Sequence, residues 1–119
     1  MIINIKEKEY EVHFGIAFVR ELDKKHSIAI NGGGQFGLGL ETVVPKLLSD
    51  DVLALAEVLY EGTAAEKGRP SQKDIDAYID NAEDIDTLFE EVLDELKKAN
   101  ATRKKTVKMV TEFEKAEKK

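Results

Sequence analysis

The first fourteen residues alternate between apolar and polar. Ile3 and Ile5 flank Asn4, and Tyr10, Val12 and Phe14 are separated by Glu11 and His13. A period of two places each apolar set on one face of a strand, so this segment predicts a β-hairpin. The connection around Glu7-Lys8 lacks an Asn-Gly type of turn signal and leaves the register open. A lone hairpin is marginal in water, so this one must pack against helices. From Gly15 the period lengthens. Phe14, Ala17, Phe18 and Leu22 predict one buried helical face ending near Lys25, with Lys24, Lys25 and His26 placed to complement the helix dipole. Five of the eight glycines then fall between Ser27 and Gly39, a density no stable helix tolerates. That stretch predicts a loop, or a second short hairpin around Asn31-Gly32.

The remainder reads as helices. One starts near Leu40, and Pro45 suits its first turn or marks a break before Lys46. Ser49 is the expected N-cap of the next, with Asp50 and Asp51 in its first turn. Leu48 and Leu53 form a candidate hydrophobic staple, and Val52, Leu55, Ala56 and Leu59 the buried stripe. This helix ends near Gly62 and is followed by the linker 66–70. Ser71 is a further N-cap, with Asp74 at capping-box distance and Ile75, Tyr78, Ile79 and Ala82 facing inward.

Asp84 caps the longest apolar pattern: Ile85, Leu88, Phe89, Val92, Leu96 and Ala99, widened by Leu93. The pattern fades through residues 100–105 and resumes at Val107, Val110 and Phe113. Positions 85, 92, 99, 106 and 113 keep a heptad register, although 106 is Thr and 103 is Arg. The expectation is one long helix whose last part leaves the globular body. The fold class is then α+β and mainly α-helical: an N-terminal β-hairpin on a bundle of about five helices with a long C-terminal helix. Residues 1–99 form the body, and 100–119 a basic, partly projecting tail.

Charge sharpens that division. Residues 1–96 carry nine basic and 21 acidic side chains, a net of −12, whereas 97–119 carry nine basic and three acidic, a net of +6. The 119-residue length suits one domain, and 42% hydrophobic residues suffice for a core. The chain has no Cys, which removes disulfides, thiolate metal sites and cysteine nucleophiles. No segment approaches the about 18 apolar residues of a membrane span, and the start is no signal peptide, so the expected compartment is a cytoplasm.

Candidate chemistry is sparse. Gly32 to Gly37 formally matches G-x-G-x-x-G, but no βαβ unit surrounds it and a glycine loop explains it better. Asp23 and His26 have a two-ligand metal spacing with no third ligand to join them. Asp74, Asp76, Asp80, Glu83, Asp84 and Asp86 lack the Gly and the alternation of a calcium loop and read as the solvated face of two capped helices. No catalytic residue, metal ligand or cofactor-binding residue is assigned, and no cofactor is expected. Two kinds of partner surface remain. Leu88, Phe89, Val92 and Leu96, with Val107, Val110 and Phe113, have helix-in-groove spacing, although 85–96 read first as intramolecular core. Arg103, Lys104, Lys105 and Lys108 supply phosphate-binding charge, so a small nucleic-acid-associated regulatory protein is the alternative function. The acidic body opposes it and makes nucleic acid an unfavoured partner.

Several segments resemble the tail assembly chaperones of long-tailed phages that infect Gram-positive bacteria. They are Phe14-Gly15-x-x-Phe18-x-x-Glu21-Leu22-Asp23, then Phe36-Gly37-Leu38-Gly39-Leu40 leading into Val44-Pro45-x-Leu47-Leu48. Arg69-Pro70-Ser71-x-x-Asp74-Ile75 and Leu88-Phe89-Glu90-x-Val92-Leu93-x-Glu95-Leu96-Lys97-Lys98 follow in order. Together they span roughly residues 10–100. The resemblance implies a non-enzymatic protein of the host bacterial cytoplasm that is not expected in the mature virion. Its implied partners are the tape measure protein, which it coats and solubilises, and the tail tube protein, met through a frameshift-extended form. The closing Lys118-Lys119 is compatible with slippage at a lysine codon pair and equally with an ordinary stop. The charge split adds a homo-oligomer, ring or filament, joined head to tail.

Overall fold

The N-terminal alternation forms an antiparallel hairpin in the computed structural model, which describes residues 1–117; Lys118 and Lys119 lie outside the described residues. Strand β1 (Ile2–Ile5) pairs with β2 (Lys8–Glu11), Ile5 facing Lys8 across a two-residue turn. Lys6 and Glu7 occupy that turn at φ 52° and 65°. Their left-handed conformation matches a type I′ turn, whose twist suits a two-residue hairpin even without Asn-Gly. Ile3 and Ile5 point into the core, joined by Val12 and Phe14 just beyond β2. His13 N–H donates to the Gly62 carbonyl at 2.8 Å, and a Cβ at Gly62 would stand 2.4 Å from Val12 Cγ1. The glycine is what lets the hairpin lie directly on the third helix.

Helix α1 (Ile16–Lys25) buries Phe18 and Leu22, with the Phe14 ring packed against Phe18 at 4.8 Å between centroids and tilted by 58°. Ala17 is exposed, so the buried row is narrower than expected. The glycine-rich stretch is the second hairpin: β3 (Ser27–Ala29) pairs antiparallel with β4 (Gln35–Gly37). Gly32, Gly33 and Gly34 all have φ near +95° in the connecting loop, a conformation that favours glycine.

Helix α2 (Gly39–Leu48) contains Pro45 in its interior rather than at its first turn or at a break. A proline there costs about 3 kcal/mol. Leu40, Val43, Val44 and Leu47 are all buried on one face, and burial at about 1.5–3 kcal/mol each outweighs that cost. Ser49 is not an N-cap. It ends α2, and Asp50 follows in the left-handed region at φ 61°. The Asp51 and Asp50 N–H groups return to the Lys46 and Leu47 carbonyls, the two bonds of a Schellman stop. Asp51 then caps α3 (Val52–Gly62), accepting from the Leu53 and Ala54 N–H groups. This shift turns Val52 and Leu53 outward, so Val52 leaves the predicted stripe and no Leu48–Leu53 staple forms.

Helix α4 (Gln72–Asp80) carries the full capping box: Asp74 N–H donates to Ser71 Oγ, and Ser71 N–H to Asp74 Oδ2. Asp84 caps α5 (Ile85–Lys98) through the Thr87 N–H at 3.0 Å. The expected continuous helix breaks after α5. Ala99 is extended, and the buried Thr102 hydroxyl donates to the Leu96 carbonyl at 2.6 Å. Helix α6 (Arg103–Glu117) turns back to pack on α2 and α5, with Thr106 fully buried and Met109 against the core. The architecture is α+β and mainly helical: six helices and two separate two-stranded hairpins among the described residues.

Candidate functional site

The polar clusters are structural ties. Asp23 Oδ1 accepts from the Gly39 N–H at 2.8 Å, capping α2 from sixteen residues upstream. His26 Nε2 lies 2.7 Å from Glu57 Oε2, linking the start of β3 to α3. Asp23 and His26 therefore serve different helices, and no cluster of three metal-ligating side chains exists among the described residues. Glu61 on α3 is 3% exposed; its oxygens lie 3.2 Å from Lys25 Nζ and 3.6 Å from Arg69 Nη2. The Arg69 guanidinium sits 3.9 Å over the Tyr60 ring and donates to the Tyr60 carbonyl. Burial of this kind explains Arg69 without catalysis.

The sequence-derived partner residues divide by position. Leu88, Phe89, Val92 and Leu96 are buried in the core, so a partner helix has no access to them in this conformation. Val107 is exposed, whereas Val110 and Phe113 on the same helix α6 are half-buried. Arg103, Lys104, Lys105 and Lys108 are all exposed, and Lys105 is committed to Glu41 at 2.8 Å.

One apolar surface was not assigned from the sequence. Ile28, Ile30 and Phe36 lie about half exposed on the β3–β4 hairpin, Ile28 directly opposite Phe36. Its two strands have no third strand beside them among the described residues. The signal was present: residues 27–40 hold no charged side chain in a chain that is 35% charged. Protein edges normally carry Lys, Glu or Pro to discourage pairing, as β2 does with Lys8, Glu9 and Glu11, and this hairpin carries none.

With that geometry in place, the chain matches the family model described as phage tail assembly chaperone protein, TAC, over residues 2–111. The chain belongs to this chaperone family. No curated protein and no solved structure gives a significant match. The fold joins segments that are far apart in the chaperone's sequence. A Cβ at Gly37 would stand 2.4 Å from Asp23 Cγ, and one at Gly39 2.7 Å from Asp23 Oδ1. The Glu21-Leu22-Asp23 and Phe36-Gly37-Leu38-Gly39 segments are thus two halves of one joint. Arg69-Pro70-Ser71 likewise combines the Tyr60 stack, a buried proline and the α4 cap.

Proposed function

We propose that the chain acts by binding, without catalysis, to keep the tape measure protein soluble and to help bring tail tube subunits to it. It works in the host bacterial cytoplasm and is left out of the mature virion, and a frameshift-extended product meets the tube protein. Family membership over residues 2–111 supports the chaperone role. The observation that carries client binding is the uncharged β3–β4 arm with Ile28, Ile30 and Phe36 facing solvent. Such a contiguous apolar patch marks a protein contact. In this reading residues 1–99 hold the arm, and the basic segment 100–119 organises assembly.

Co-expression with the tape measure protein tests the proposal. The partner should become soluble and co-purify with the chain. Phe36→Asp, at an exposed position, should lose the partner while the thermal transition stays within about 2 °C of the parent, as surface substitutions usually do. An intact tape measure protein that stays insoluble would overturn the function. Unchanged capture by Phe36→Asp would overturn the assignment of the arm.

A further inference from the structure

Helix α6 lies on the body as a ligand lies in a groove. It packs across α2 and α5, whose buried residues are all apolar. The covered residues of α6 are Thr106, Met109, Val110 and Phe113. They recur at i, i+3, i+4 and i+7, the spacing by which an amphipathic helix fills an apolar groove.

The seat is a poor one. Helix α6 fully buries one side chain in 15 residues, whereas α5 buries four in 14. That one is Thr106, whose hydroxyl has no hydrogen-bond partner among the described residues. An unpaired buried hydroxyl opposes the packing that surrounds it. Met109 reaches the core, but Val110 and Phe113 stop half-buried. At the rim Lys105 meets Glu41 at 2.8 Å, and a pair as exposed as this adds little. The joint also permits departure. Ala99 is extended at φ −68° and ψ 137°, and the Thr102 hydroxyl closes the end of α5 on the Leu96 carbonyl. Helix α5 therefore ends on its own, and α6 can leave without unwinding it.

We propose that the α2–α5 groove is a binding site for an amphipathic helix of the client, and that α6 holds it shut until that helix takes its place. The incoming helix carries apolar side chains at all four positions, with an aliphatic one where α6 has Thr106. A lysine or arginine one residue before it meets Glu41, as Lys105 does now. Helix α6 has the advantage of its tether. The aliphatic group, which leaves no hydroxyl unpaired, is what the client sets against it. The inference rests on the proposed reading of the chain as a client-binding chaperone and adds a second contact to that of the β3–β4 arm.

Aggregation of the tape measure protein on dilution from denaturant, followed by light scattering in the presence of the purified full chain, tests the exchange. The chain has no Cys, so Glu41→Cys with Lys105→Cys supplies the only two thiols. A short bis-maleimide between these accessible positions ties α6 down. The tied protein should need about tenfold more chain to suppress scattering than the same variant left untied. The untied variant should stay within about fivefold of the parent, because it has lost only an exposed ion pair. Thr106→Val, which seats α6 better, should need about fivefold more chain than the parent. Met109→Ala takes an anchor from α6 and nothing from the groove, and should need less. Equal suppression by tied and untied protein, or a Thr106→Val variant that needs no more chain than the parent, would overturn the exchange and leave the proposed function standing. A parent that suppresses nothing would overturn both. Partner-free assembly of the parent that the tie abolishes would give the groove to α6 of a second copy and overturn the client's place in it.

Discussion

Removing the Asp23 carboxylate isolates the joint between α1 and α2. In Asp23→Ala the Gly39 N–H, on a buried residue at the first position of α2, loses its acceptor at 2.8 Å. A buried donor left unpaired costs about 1–3 kcal/mol, and loss of an anion at a helix N-terminus about 0.3–1 kcal/mol more where exposure is high. Asp23 is half-buried, so the expected loss is about 2 kcal/mol. At this chain length that lowers Tm by about 8 °C. Asp23→Asn keeps an acceptor oxygen and should lose about half as much. Gly37→Ala is destabilising in the parent because its Cβ meets Asp23 Cγ at 2.4 Å and Oδ2 at 2.5 Å. Both atoms are gone in Asp23→Ala and only the Cβ contact at 2.7 Å remains, so the double variant should cost less than the two singles added, by about 0.5 kcal/mol. Guanidinium and thermal unfolding of the four proteins read these differences. A loss under about 0.5 kcal/mol for Asp23→Ala, or strict additivity with Gly37→Ala, would show that the carboxylate does not hold the joint.

Arg69→Ala should destabilise by about 3 kcal/mol in chemical denaturation, since it strips Glu61 of a cation and Tyr60 of its stacked guanidinium; Arg69→Lys should recover only part. Thr106→Val should raise Tm, by about 4 °C, because the Thr106 hydroxyl is buried without a hydrogen-bond partner and the methyl keeps its volume. The Lys6 contact, then the Ser71 backbone N–H, hold the Asp74 carboxyl below its ordinary value of 3.8. A depressed folded pKa means that its contribution is complete above the unfolded value and is lost as pH falls through the folded one. Stability of Asp74→Asn measured against pH should therefore fall less steeply below pH 3.8 than that of the parent.

Local signals were legible where a residue's partner is local. The Ser71 and Asp84 caps bond three residues ahead, and the first hairpin alternates with period two. Signals failed where two local solutions compete. Ser49 and Asp51 are both good caps, and the Schellman bonds to Lys46 and Leu47 decide for Asp51. Thr102 and Thr106 weakened the apolar pattern of a long helix, yet both are fully buried, one turning the chain and the other packing beneath α6. Residues 88–96 have the stronger apolar stripe and are spent on the core, as their first reading had it, while the exposed apolar side chains of the uncharged β3–β4 arm were signalled by an absence of charge rather than by a pattern.

The return of α6 onto α2 also sets an order of events. Helix α2 emerges from the ribosome more than fifty residues before the helix that covers it, so part of its surface stays open for nearly half of synthesis. In the finished protein the same contact is tied at its rim by a solvent-exposed Lys105–Glu41 pair, a weak fastening. Lifting α6 would uncover parts of both α2 and α5, and hydrogen exchange on these two helices should report that opening together, below the global unfolding free energy.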